Sequence, residues 1–213
     1  MKSQINNLAS QRLVWLDALK GIGILLIMVC HAGLLPRVSI FLTAGYVSIF
    51  FVASGFTYKS KQTFSSEIGN RSKRLLLPYF FYVSLSIILM NIFQIKGDFI
   101  HQVLGMIYSR YSLYFGIKDV GDVSLLTQTC NSPTWFLTAL FTSLMVMYII
   151  KSLKWQWVVI TCLGLSVLTL YLPFLLPWSL DTAFVGALFI YLGKKIRGGN
   201  SGYRMVRLGL VVL

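Results

Sequence analysis

Within one apolar stretch, Asp17-Ala18-Leu19-Lys20-Gly21-Ile22-Gly23-Ile24-Leu25-Leu26-Ile27-Met28-Val29-Cys30-His31, the chain carries a carboxylate, an ammonium and an imidazole. A helix advances about 100° per residue, so the three fall within an arc of about 60° on one face. Lys20 and His31 are then about 16 Å apart along the axis. Ionisable groups among lipid chains are costly, so a shared polar face implies a protein interior or a watered cavity. His31 can take a proton from an alcohol and return it to a leaving group, or be acylated and pass the acyl group on. It can equally be a core histidine bonded to a neighbouring helix. Asp17 and Lys20, at i and i+3, can pair locally while Lys20 snorkels to the headgroups. Alternatively, Lys20 offers a cation to a phosphate-bearing donor such as coenzyme A.

Four further segments carry candidate chemistry. In Phe50-Phe51-Val52-Ala53-Ser54-Gly55-Phe56, Ser54 and Gly55 allow close helix approach, and Ser54 is also a candidate substrate contact. Arg71-Ser72-Lys73-Arg74-Leu75-Leu76-Leu77-Pro78-Tyr79 is a basic cluster running into a helix start, suited to a polyphosphate or to setting topology. Trp135, in Asn131-Ser132-Pro133-Thr134-Trp135-Phe136-Leu137, is either an interfacial anchor or a stacking platform for a sugar. Asp181, in Leu180-Asp181-Thr182-Ala183, either orients His31 or is a helix N-terminal acid placed on the dipole. Cys30, Cys130 and Cys162 show no metal or redox spacing and read as apolar filler; no metal is expected.

The elements that must position these residues are apolar spans. Hydrophobic residues make up 56% of the chain and charged residues 12%, with mean hydropathy +0.74, which is far from the soluble pattern. Spans of about 20 residues are expected at 16–35, 39–58, 76–95, 134–150, 156–176 and 179–194, with 96–133 as one long loop. A seventh apolar run opens near Tyr203 and stops at Leu213, which reads as a C-terminally truncated chain. The first run is too long and too charged for a cleavable signal. The expected fold is all-α: a polytopic transmembrane bundle of six complete spans plus the start of a seventh, one integral membrane domain over 1–213. Pro36 ends the first span, Pro78 falls in the first turn of the third, and Pro173 and Pro177 bracket a tight turn.

With the N-terminus cytoplasmic, fifteen of the 19 cations fall on the cytoplasmic side, leaving Arg37, Lys96, Arg110 and Lys118 outside. The positive-inside rule favours that orientation. It also accounts for the net charge of +13 by basic loops against an anionic leaflet, with no nucleic-acid partner. Asp17 and Lys20 then sit at the cytoplasmic mouth of the first helix, and His31 lies towards the outer face.

The ordered set of an Asp-x-x-Lys-Gly run ending in His31, Phe-Phe-x-x-Ser-Gly-Phe, Arg-x-x-Arg-Leu-x-x-Pro-Tyr and Trp-Phe-Leu resembles the acyltransferase 3 family of integral membrane O-acyltransferases. The Leu-Asp-Thr-Ala segment looks most like the branch related to fucose 4-O-acetylase. The resemblance covers residues 12 to about 195. It implies about ten helices and a bacterial inner (plasma) membrane location. It also implies transfer of an acyl group, usually acetyl, from cytoplasmic acyl-CoA to a hydroxyl of a cell-surface or lipid-linked glycan. By that resemblance His31 is the essential histidine, Lys20 the basic residue of the first helix, and Arg71 and Arg74 the basic pre-helix motif. The donor is acetyl-CoA, and the partners are membrane lipid and a glycan acceptor. Two departures stand out: Leu140 occupies a place where some relatives carry glutamate, and the C-terminal helices are missing. A transporter or glycan flippase would use the same stripe as a proton or substrate path. A non-catalytic scaffold would tolerate its loss.

Overall fold

The computed structural model describes residues 14–31, 39–59, 63–93, 98–109, 113–115, 123–126, 134–172 and 174–198. In chain order the elements are α1 (Val14–His31), α2 (Ser39–Thr57), α3 (Phe64–Arg71), a π turn (Ser72–Leu76), α4 (Leu77–Ile92), α5 (Phe99–Tyr108), β1 (Leu113–Phe115), β2 (Val123–Leu126), α6 (Trp135–Ile150), α7 (Trp155–Leu170), a 3-10 turn (Pro177–Ser179) and α8 (Leu180–Gly198). Each of the six expected spans overlaps a helix: the second and fourth agree to within a residue at each end, the helix of the fifth stops at Leu170 rather than 176, and that of the sixth runs on to Gly198. The run from Tyr203 lies outside the described residues. The expected loop 96–133 holds a helix and a short antiparallel ribbon, β1 with β2, within a fold that is all-α in class.

The contacts divide the chain into two units, residues 1–58 with 192–213, and residues 59–191. In the first, α1 packs along α2. Leu16, Ala53 and Phe56 form its buried cluster, with Trp15, Val52 and Ile196 against it. Small residues let the backbones close up: the Phe50 ring fills the space where a side chain on Gly23 would lie, 2.8 Å from its Cβ position. A Cβ on Gly193 would collide with the Val52 carbonyl oxygen and lie 3.2 Å from Gly55 Cα. Arg197 donates to the Phe56 carbonyl, one of the carbonyls that the end of α2 leaves without a helical partner.

In the second unit, Tyr79, Val83 and Ile87 form the buried stripe of α4, and Val103, Met106 and Leu137 pack on it. Tyr79 Oη donates to the Met106 carbonyl at 2.7 Å, and Asn91 Nδ2 donates to Oε1 of the buried Gln102 at 3.2 Å. These bonds satisfy the polar groups that α4 and α5 bring into contact.

The third expected span begins earlier than its apolar run. Phe64–Ile92 is one 29-residue helix, about 43 Å long, against a hydrocarbon core of about 30 Å. Its first third is polar and can stand outside that core. The π turn precedes Pro78, with the Leu77 amide donating to the Ser72 carbonyl five residues back. Proline has no N–H to return to the preceding turn, and the widened turn absorbs the defect without ending the helix.

Among the described residues this is the one helix long and apolar enough to cross a bilayer; Val47–Thr57, Trp135–Ile150 and Trp155–Leu170 are shorter apolar helices. Their outward faces are nonetheless apolar: Ile22, Leu25 and Met28 in α1, Phe81, Leu85 and Ile88 in α4, Ile160, Leu163 and Val167 in α7. A helix facing water would be polar there; these faces suit lipid.

The close crossing at Gly193 yields a paired prediction. Gly164, within α7, has nothing within 4 Å of its Cβ position, so Gly164→Ala should hold or raise the melting temperature through the helix preference for alanine, about 1 kcal/mol. Gly193→Ala gains the same preference but must push the α2 backbone away, an overpacking cost of about 1–3 kcal/mol or more. It should melt several degrees lower. Equal melting temperatures for the two variants would remove the close crossing.

Candidate active site

The first unit holds Asp17, Lys20, His31 and Ser54. α1 is unbroken from Val14 to His31, so the three ionisable residues keep their common register. Leu16 and Gly23 mark the seam that α1 buries. Lys20 lies about 40° from Leu16 around the helix and Asp17 about 100°, with position 31 between them. The polar register thus runs along the edge of the packed seam. It lies apart from the apolar face centred on Leu25. Lys20 and Asp17 are half-buried. The His31 side chain lies outside the described residues; its backbone closes α1. Ser54 spends its hydroxyl on the Phe50 carbonyl one turn back, at 2.8 Å, and sits where α2 meets Gly193. That is a packing arrangement.

The second unit holds the basic motif. Arg71 pairs with Glu67 one turn earlier through Nη2 and through Nε at 2.7 Å. Glu67 is 4% exposed. A buried carboxylate needs such a partner, and the pair fixes the guanidinium at the head of the π turn. Arg74 and Lys73, on the π turn itself, are exposed. Phe64 stacks on Tyr148, and Lys151 Nζ lies 3.4 Å over the same ring.

A second polar group of this unit gathers along α6. Trp135 opens that helix half-buried, and its carbonyl accepts from Thr138 Oγ1 at 2.8 Å. Thr138 Oγ1 also meets Ser109 Oγ at 2.6 Å, both residues fully buried. Halfway along α6, Thr142 Oγ1 shares its proton between the Thr138 carbonyl at 2.9 Å and the Trp178 carbonyl at 3.0 Å, while Trp178 Nε1 donates to the Ile107 carbonyl at 2.8 Å. The Trp178 ring meets Phe80 and Phe141 edge-on. Ser109, Trp178 and Ser179 all have left-handed backbones, with φ of 57°, 55° and 55°. For residues other than glycine this costs about 1–3 kcal/mol each. Asp181 lies in the first turn of α8, and its Oδ1 accepts from the Thr182 amide at 2.9 Å, as a helix N-terminal acid does.

Three of these features escape a reading of residue types alone. Glu67 was recoverable, because a glutamate four residues before an arginine is a helix signal. His101 was too: Asp98 caps α5 by accepting the Ile100 amide, and its other oxygen sits 2.8 Å from His101 Nδ1. The Trp178–Ser179 turn has no sequence signal, since no glycine marks its left-handed backbone.

The model of an acyltransferase domain, that of the acyltransferase 3 family, matches residues 13–213. The chain belongs to the acyltransferase 3 family. No curated protein and no solved structure matches it. Members of the acyltransferase 3 family are membrane proteins, and membership makes acyl transfer the reaction class for which these side chains must account. The match takes in every helix from α1 to α8.

Within the basic cluster the two arginines differ in surroundings, and mutation should separate them. Arg71→Ala strands the buried Glu67 carboxylate and should cost about 3–5 kcal/mol of stability. Arg74→Ala, at an exposed position, should stay within about 0.5 kcal/mol. Thermal unfolding in a fixed detergent reads both; equal losses would mean that Glu67 does not depend on Arg71.

Proposed function

We propose that this chain is a membrane O-acyltransferase that moves an acetyl group from cytoplasmic acetyl-CoA to a hydroxyl of a cell-surface or lipid-linked glycan. In this reading it sits in a bacterial inner membrane with its N-terminus in the cytoplasm, as the positive-inside count favours. The carrying observation is the unbroken α1, which holds Asp17, Lys20 and position 31 in one register in a chain of an acyltransferase family. The Leu180-Asp181-Thr182-Ala183 segment supports the branch related to fucose 4-O-acetylase.

The roles follow from side-chain chemistry. Lys20, Arg74 and Arg71, the last held by Glu67, meet the donor's phosphates. His31 takes the proton of the acceptor hydroxyl as the hydroxyl oxygen attacks the thioester carbonyl. The carbon–sulfur bond then breaks, and His31 returns the proton to the departing thiolate, leaving an ester and free coenzyme A. Asp181 favours the protonated imidazole, and the Trp135 ring stacks on the sugar.

Purified protein supplied with acetyl-CoA and glycan tests this directly. His31→Ala should lower kcat by about a hundredfold or more, the usual scale of general-base loss. A wild-type rate would refute the role. Lys20→Ala and Arg74→Ala should raise the KM for acetyl-CoA and leave the KM for the acceptor unchanged; equal rises in both constants would remove these cations from the donor site.

A further inference from the structure

Ser179 immediately precedes α8, in the N-cap position, where a serine ordinarily accepts a hydrogen bond from an amide of the first turn. It does not do so here. Its left-handed backbone, φ 55°, is not the extended conformation that capping requires. Its Oγ is buried and has no hydrogen-bond partner, and the residue is 0% exposed. The cap position is served otherwise: the Thr182 amide goes to Asp181 Oδ1, and Thr182 Oγ1 donates to the Ser179 carbonyl. An ordinary turn would let the hydroxyl cap the helix; this one withholds it.

The surroundings say what the hydroxyl is withheld for. The turn packs halfway along α6, where Thr142 holds the Trp178 carbonyl. The end of α5 reaches the same stretch through Trp178 Nε1 and the Ile107 carbonyl. Irregular backbone beside the middle of a membrane helix is tolerated only where it is buried in protein or lines a cavity. Among the described residues, the groups bonded or stacked around it are hydroxyls, carbonyls and aromatic rings, with no cation among them. That chemistry suits a neutral polyhydroxylated ring rather than the phosphates of the donor.

We propose that the Trp178–Ser179 turn is a sugar-binding subsite, in which Ser179 Oγ bonds a ring hydroxyl and Trp178 supplies the apolar face. It rests on the acyltransferase reading only in taking that sugar to be the acceptor. Ser179 is fully buried in the structure described, so a ring reaches its Oγ only when the turn opens.

Ser179→Gly tests the subsite without endangering the fold, because glycine accepts the positive φ and removes the stranded hydroxyl. Full-chain protein in lipid nanodiscs is titrated, without acetyl-CoA, with methyl glycosides of fucose, galactose, glucose and mannose. Wild type should bind at least one. Ser179→Gly should melt higher yet bind that glycoside about tenfold more weakly, the scale of one lost hydrogen bond. Binding within twofold of wild type would overturn the proposal and mark Ser179 as a water site. So would a wild type that binds none of the panel. A wild type that binds the glycoside but transfers no acetyl group to it would leave the subsite standing and defeat the acyltransferase reading. Normal transfer with an unchanged acceptor KM in Ser179→Gly would do the reverse.

Discussion

A polar group carried into an apolar bundle must find a partner or be placed at an edge, and most local choices in this chain follow from that. Glu67 is buried and therefore held by Arg71. Pro78 lacks a donor, and the helix widens before it. The Phe56 carbonyl near the end of α2 meets Arg197. Gln102 is buried against Asn91, and Tyr79 against the Met106 carbonyl. Each pairing removes a desolvation cost of about 1–3 kcal/mol for a neutral group, and more for a charge. The polar register of α1 obeys the same rule by running along the edge of a packed seam, and the Trp178–Ser179 turn departs from it.

Helix positions were legible because apolar runs and punctuation fix them. The runs near 39–58, 134–150 and 179–194 became α2, α6 and α8 with ends shifted by a few residues at most, apart from the longer C-terminus of α8. Hydropathy could not place the start of the helix that holds Pro78. The polar residues of α3 lie outside any apolar run, and Pro78, in the first turn of α4 as expected, follows a π turn that continues α3. The segment 96–133 read as a loop because its short apolar stretches lack span length, yet Asp98 caps a real helix there.

The candidate residues divide in the same way. The α1 register was visible because helical phase is arithmetic on sequence. Ser54 was named from its place beside Gly55; coordinates add that its hydroxyl donates to the Phe50 carbonyl of its own helix. The inequality of Arg71 and Arg74 needed coordinates, because it depends on which side of the chain Glu67 buries. The turn at Trp178 was invisible, because a left-handed backbone without glycine leaves no trace in composition.

Family membership makes this chain a membrane acyltransferase; delivery of the acyl group to a glycan hydroxyl is the reading we propose for it. The most direct test is mass analysis of cell-surface glycan from otherwise identical cells with and without this gene. The account predicts a base-labile O-acetyl group on one sugar position that is present only when the gene is. Identical glycan from both strains, with acetylation unchanged, would contradict it.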